Sequence, residues 1–121
     1  MIQNCTPHPV PITNSRGLTK VIPESSRVLR IKHCGTVGFI QNAPPKIKGI
    51  LYIVSANTRM ISKREDFISP ADVIEEGDRV VSCRAFMFNK IRSNKIGTEL
   101  VFVNTPYKVS VDKFWNEAIL K

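Results

Sequence analysis

The segment Arg84–Arg92 interleaves aromatic rings with cations. Side chains alternate between two faces on an extended strand. One face would then be apolar, and the other would carry Arg84, Phe86, Phe88, Lys90 and Arg92. Rings stack on bases and cations hold phosphate, so this second face predicts a platform for a nucleotide-like ligand. The alternative is that Phe86 and Phe88 pack in the core against Phe114 and Trp115, with the cations solvated at its rim.

Two further basic clusters are candidates for the same ligand. Arg30 lies close in sequence to Arg27 and Lys32, although these side chains cannot all share one face of a regular strand. Arg64 follows Lys63 and precedes two acids, so the run could equally be a solvated surface of paired charges. The predicted ligand-binding residues are therefore Arg84, Phe86, Phe88, Arg30, Arg64, Lys90 and Arg92.

Catalytic and metal-binding signatures are weak. The two histidines, His8 and His33, have no acidic residue nearby in sequence to orient them as a base, and the chain lacks a phosphate-binding glycine loop. His33 and Cys34 are adjacent, which points their side chains to opposite faces of an extended chain. The sequence predicts no enzyme, no cofactor and no metal site.

The charge is large and uneven. The formal net charge is +8, and residues 1–64 contain one acid, Glu24, among many lysines and arginines. Residues 65–121 are close to neutral. This asymmetry predicts an anionic partner for the basic half: a phosphate-bearing small molecule, an acidic protein or nucleic acid.

Length and composition indicate one globular domain over residues 1–121. The chain is 42% hydrophobic and 23% charged, close to ordinary globular usage. Its longest apolar run, Ile50–Val54, is far shorter than the roughly 20 residues of a membrane span. No membrane association and no signal peptide are expected, and three cysteines without a CxxC pair favour the reducing cytoplasm.

Short apolar runs separated by turn residues predict a mostly β fold. Gly49–Ser55 is typical of a central strand covered on both faces. Arg79–Phe88 predicts a long strand, with Glu99–Val103 as its hairpin partner. Residues 56–63 predict a short helix capped by Ser55 or Asn57.

The C-terminal residues 111–120 predict a helix packed on the domain. Ser110 is a natural N-cap, and Phe114 and Ala118, four residues apart, belong to one apolar face of the predicted helix. The expected fold class is α+β, mostly β: a compact small antiparallel or mixed sheet that could curl into a barrel, with a short central helix and this C-terminal helix. Exposed edge strands also predict a homo-oligomer.

Several short motifs resemble a family of small, largely uncharacterised phage and prophage proteins. The chain opens Asn4-Cys5-Thr6-Pro7-His8, continues through Ile22-Pro23-x-Ser25, and reaches Tyr52-Ile53-Val54-Ser55 and Arg64-x-Asp66-x-x-x-Pro70. The family pattern has proline and glycine where this chain has Glu24 and Ser26, and its arginine falls near Arg30. The resemblance covers roughly residues 2–84, so the segment after Arg84 is additional.

The resemblance implies a phage-borne accessory protein that acts in the host cytoplasm by stoichiometric binding. The first hypothesis is sequestration of a phosphate-bearing small ligand, such as a host signalling nucleotide, as a counter-defence. The alternatives are an inhibitor or adaptor that binds a host protein through its basic half, and a non-specific nucleic-acid binder.

Overall fold

The computed structural model describes residues 1–34 and 37–121, without the side chains of 30–34, 37–39 and 41. Helix α1 spans Ala56–Ser62, and a 3₁₀ turn spans Val111–Phe114. The strands are β1 (Ile2–Asn4), β2 (Val10–Thr13), β3 (Thr19–Ile22), β4 (Arg30–Cys34), β5 (Val37–Gln41), β6 (Leu51–Ile53), β7 (Phe67–Glu76), β8 (Arg79–Phe88), β9 (Ile91–Ile96), β10 (Glu99–Asn104), β11 (Tyr107–Ser110) and β12 (Ile119–Leu120).

Eight strands form one mixed sheet in the order β12-β1-β6-β7-β8-β2-β3, and β11 pairs with β8. Strands β1, β6 and β7 run parallel to one another, whereas β7 and β8 form an antiparallel hairpin. The hairpins β4–β5 and β9–β10 are separate two-stranded sheets. Strand predominates and the described residues form one α-helix, which confirms the predicted mostly β, α+β class with a mixed sheet.

The main sheet curls without closing into a barrel. An isolated parallel bridge joins Asn4, at the end of β1, to Glu24, just beyond β3. The Asn4 side chain is fully buried there and donates to the carbonyl oxygens of His8 and Ile22, at 2.8 and 3.1 Å. Within the described residues, one bridge and these side-chain bonds take the place of a continuous strand ladder, so the barrel alternative is not realised.

Two apolar clusters form the core. The smaller one contains Tyr52 and Phe67, whose rings meet edge to face at 6.0 Å. Fully burying one side chain of this size contributes about 1.5–3 kcal/mol. The larger one contains buried side chains of the mixed sheet together with Val111 of the 3₁₀ turn: Ile2, Val10, Ile12, Ile22, Ile53, Ile68, Cys83, Phe86, Phe88 and Val111.

Helix α1 confirms the predicted central helix. Ser55 is its N-cap, and the Ser55 hydroxyl oxygen accepts from the backbone N–H of Thr58 at 3.2 Å. The helix ends at Lys63, which adopts a left-handed conformation with φ of 53°. Its buried face carries Thr58 and Arg59.

The predicted C-terminal helix over residues 111–120 is wrong beyond its first turn. Ser110 does cap the 3₁₀ turn, because its hydroxyl accepts from Asp112 N–H at 3.2 Å. The chain then extends, and Ile2 N–H donates to Ala118 carbonyl at 2.9 Å. Strand β12 pairs in parallel with β1. The backbone groups of residues 118–120 therefore form hydrogen bonds with the edge of β1 rather than with one another in a helix.

Strand β8 has the predicted bounds, but its hairpin partner is β7 rather than residues 99–103. The β7–β8 turn is at Gly77, and the β9–β10 turn is at Gly97, both with φ of 62°. Only glycine adopts this left-handed conformation without strain from a Cβ atom. Residues 93–95 lie inside β9 and pair with β10.

Candidate functional site

Phe86 and Phe88 are core residues rather than an open platform. Phe86 is 0% exposed and Phe88 is 8% exposed. Both rings contact Phe114, edge to face from Phe86 at 6.3 Å and stacked with Phe88 at 5.7 Å. The buried rings leave no face on which a base could stack, so the packing alternative considered from the sequence is the one that the structure adopts.

Strand β8 is covered on both faces at its C-terminal end, which is why strict alternation misled the sequence prediction. Cys83 and Ala85 are buried on one face while Phe86 and Phe88 are buried on the other. Arg84 is exposed in the middle of the strand. It is therefore separated from the cations that follow the strand.

The Arg64 guanidinium is bound by other groups of the same chain. It makes a two-pronged ion pair with Asp66, at 2.9 Å from Nε and 2.6 Å from Nη2, and both side chains are 17% exposed. The guanidinium also lies over the Phe67 ring, 4.3 Å from the centroid, and donates to Pro44 carbonyl. Arg64 therefore fastens the loop before β6 to the start of β7. The predicted site residue Arg30 has its side chain outside the described residues, as do His33 and Cys34.

Lys90 and Arg92 are brought together at a surface cavity of about 540 Å³. The turn between β8 and β9 forms one wall, and the segment between β10 and β11 forms another. These two segments are joined by hydrogen bonds from Thr105 N–H to Lys90 carbonyl, at 2.9 Å, and from Lys90 N–H to Asn104 Oδ1, at 3.0 Å. The lining residues are Glu65, Asn89, Lys90, Arg92, Thr105, Pro106 and Tyr107.

Asn89 connects this cavity to a buried cation. Asn89 Oδ1 accepts from Arg59 Nη1 at 2.6 Å and from Asn104 Nδ2 at 2.9 Å. Asn89 Nδ2 donates to the carbonyl oxygens of Arg59 and Arg64, each at 2.9 Å. Asn89 is 1% exposed, so all its hydrogen-bonding capacity is used inside the protein.

Arg59 has only neutral hydrogen-bond partners in the described part of the chain. Its Nε donates to Ser69 Oγ at 2.9 Å, and no carboxylate oxygen of a described residue lies within 4.0 Å of it. Arg59 is 6% exposed, and this burial lowers the pKa of its guanidinium from the ordinary value. An arginine nevertheless stays charged at neutral pH, so a positive charge lies behind Asn89 without a carboxylate partner among the residues that the structure describes.

The cavity also contains a ring that the sequence prediction missed. One face of Tyr107 stacks on Phe88, with centroids 5.5 Å apart and planes at 22°. Tyr107 is 46% exposed, so part of its surface remains open beside Lys90 and Arg92. The sequence signal for this ring is a tyrosine directly after Thr105-Pro106. The sequence does not show that this tyrosine lies beside Lys90 and Arg92, which are distant in the chain. The remaining charge, Glu65, accepts from Ile91 N–H at 3.1 Å.

A second cavity, of about 570 Å³, is lined by both positive and negative groups in similar numbers. Its cations are Lys46, Lys48 and the Met1 ammonium, and the ammonium pairs with Glu117 at 2.9 Å. Glu65 and Asp66 line it as well. Its positive groups are thus balanced by carboxylates, which makes it a poorer anion site than the cavity at Lys90 and Arg92.

No protein-family model, curated protein or solved structure matches the chain. Among the described residues, no group of three or more His, Cys, Asp or Glu side chains is placed to hold a metal ion. The described helices are all too short or too polar to cross a membrane.

Proposed function

We propose that this chain binds a phosphate-bearing small ligand in the cavity at Lys90, Arg92 and Tyr107. The observation that supports the proposal is the convergence there of two exposed cations and a half-exposed ring. The sequence resemblance favours a phage-type accessory protein, with a host signalling nucleotide as the ligand and sequestration in the cytoplasm as its mode of action.

Each part of the cavity has a role in this proposal. Lys90 and Arg92 hold the phosphate, because charge-assisted hydrogen bonds to cations are the strong ones. The buried charge of Arg59 lies behind Asn89 with no carboxylate partner among the described residues, so it makes the electrostatic potential of the same wall more positive. The open surface of Tyr107 stacks on the base, while Glu65 accepts a hydrogen bond from a sugar hydroxyl or an exocyclic amine.

Thermal melting against mononucleotides, cyclic nucleotides and short oligonucleotides tests the proposal. A ligand at 100 times its dissociation constant stabilises the native state by about 2.7 kcal/mol. Arg92→Ala should weaken the affinity of the best ligand roughly 10- to 100-fold, since one charge-assisted bond is lost. Lys90→Ala should act in the same direction, because it removes the second phosphate-binding cation.

Arg84→Ala is the matched control, because it removes the same charge from an exposed site outside the cavity. Its affinity should equal that of the unchanged protein. If Arg84→Ala weakened binding as much as Arg92→Ala, the effect would come from net charge and the cavity proposal would fail. The absence of any shift across the panel would also contradict it.

A second candidate is direct binding of an acidic host protein through the basic half. Its support is that Arg16, Arg27, Lys46 and Lys48 are all exposed and form no ion pair among the described residues. This interaction should weaken steeply with salt and should not depend on Lys90 or Arg92. Capture of a protein whose binding is reduced by Lys46→Glu but not by Arg92→Ala would favour this candidate. Nucleic acid would instead show salt-sensitive binding to oligonucleotides of any sequence.

A further inference from the structure

The β9–β10 hairpin lies outside the main sheet and exposes much of its apolar surface. Ile96 is 66% exposed, Leu100 61%, Phe102 56% and Val103 42%. The hairpin's strands pair only with each other among the described residues. A lone two-stranded hairpin is marginally stable in water, and apolar side chains on both of its faces make this exposure costly.

The two free edges of this hairpin differ in charge. Strand β9 carries Arg92 and Lys95, and cations on an edge strand discourage pairing with other chains. Strand β10 carries a single charged residue, Glu99, at its start, followed by four apolar residues from Leu100 to Val103. The β10 edge therefore lacks the features that normally prevent intermolecular strand pairing.

We propose that two copies of this chain pair edge to edge through β10, antiparallel, about a two-fold axis through Phe102. This register places Phe102 opposite Phe102 of the partner subunit and Val101 opposite Val103 of the partner subunit. Aromatic and β-branched side chains form favourable cross-strand pairs, and the two-fold axis forms the Val101 pair twice. The result is a four-stranded sheet that spans both copies.

Charge favours β10 over β9 as the contact. Pairing of β9 with itself would instead bring Arg92 and Lys95 of both copies to one shared edge, where like charges repel. By contrast, Glu99 is the only charged residue in the stretch from 96 to 107, in a chain of net charge +8. The copies therefore meet where the chain is least positive, and added salt should strengthen the dimer by screening the remaining repulsion.

Sedimentation velocity over a concentration series, at low and high salt, tests the dimer. The unchanged protein should shift from monomer toward dimer as its concentration rises, and it should shift further at high salt. Phe102→Lys should be monomeric, because the axis would place the two new lysines close together. Circular dichroism and thermal melting check that the variant is folded, which is expected because Phe102 is exposed.

Ile96→Lys is the matched control within the hairpin, since it makes the same kind of change on the far strand and should still dimerise. Val21→Lys changes a 54% exposed residue on β3, the edge of the main sheet, and should also dimerise. Amide hydrogen exchange gives a second measurement: protection of residues 99–104 should rise with protein concentration. A monomer under all conditions, a dimer that survives Phe102→Lys, or one abolished by Val21→Lys would overturn the proposal.

Discussion

Two consecutive hairpins of this chain are built alike and buried differently. Both β7–β8 and β9–β10 turn at a glycine with φ of 62°. Both contain a phenylalanine among apolar neighbours, yet Phe86 on β8 is 0% exposed and Phe102 on β10 is 56% exposed. Apolar content therefore did not decide burial in these hairpins; the elements packed around each strand did.

The difference follows from how many neighbours each hairpin has. Strand β8 pairs with β7, β2 and β11, and the 3₁₀ turn covers one of its faces. Strand β10 pairs only with β9 among the described strands. We therefore expect the β7–β8 hairpin to unfold with the domain, and the β9–β10 hairpin to open locally at a lower free energy.

The largest expected effect is the contrast between Phe86→Ala and Phe102→Ala. Phe86→Ala should lower the free energy of unfolding by about 3–5 kcal/mol, through lost burial and a cavity. Phe102→Ala, measured at a dilution that favours the monomer, should change it by no more than about 0.5 kcal/mol. Urea denaturation measures both, and the milder Phe86→Leu gives a smaller loss if Phe86→Ala does not fold. Equal losses of unfolding free energy would mean that the β9–β10 hairpin packs against the main sheet.

Asn89 directly follows β8 and Asn104 ends β10, and one hydrogen bond joins their side chains. Replacing each in turn therefore compares the two hairpins at a shared contact. Asn89→Ala should lower the free energy of unfolding by about 3 kcal/mol, since it leaves Arg59 Nη1 and two carbonyl oxygens without this partner. Asn104→Ala, at the end of β10, should cost about 1 kcal/mol. Urea denaturation of the two variants checks the order, and the reverse order would contradict the assignment of Asn89 as the central residue of the network.

The pKa of the Cys83 thiol reports how well the core of the main sheet excludes water. Burial raises the pKa of this thiol from 9.0 to about 11. Between these values the unfolded chain loses the thiol proton and the folded chain keeps it, so stability falls as pH rises. Cys83 alone should contribute a loss of about 2–3 kcal/mol across this window.

The Cys83→Ala variant checks this pH dependence. Its stability should fall less steeply between pH 9 and pH 11 than that of the unchanged protein, as measured by urea denaturation at several pH values. Parallel curves for the two proteins would show that the thiol is hydrated in the folded state.

The two turn glycines give the smallest expected effect. A Cβ added at Gly77 or Gly97 meets no atom of the described residues within 4 Å, so any cost comes from backbone strain of about 1–2 kcal/mol. Gly77→Ala should lower the free energy of global unfolding by about 1 kcal/mol. Gly97→Ala should barely change it and should instead speed amide exchange in residues 91–104. If Gly97→Ala lowered global stability as much, the two hairpins would form one cooperative unit.

Part of the candidate site could be predicted from the sequence. The bounds of β8, the helix after Ser55 and the choice of Lys90 and Arg92 as candidate ligand-binding residues follow from local patterns of apolar residues, caps and charges. The position of Tyr107 beside Lys90 and Arg92 and the network of Arg59 with Asn89 could not be predicted in this way. They depend on contacts between β8, α1 and the segment after β10, which lie far apart in the chain.

The sequence by itself determined the mostly β class, the α1 cap and the concentration of positive charge, because these depend on residues close together in the chain. Tertiary structure decided that Phe86 and Phe88 are core, that Arg64 is tied to Asp66, and that residues 118–120 extend along β1 instead of continuing a helix. In each of these cases the same side chain or backbone group had two acceptable local states. The choice depended on which distant element satisfied its hydrogen bonds or covered its apolar surface.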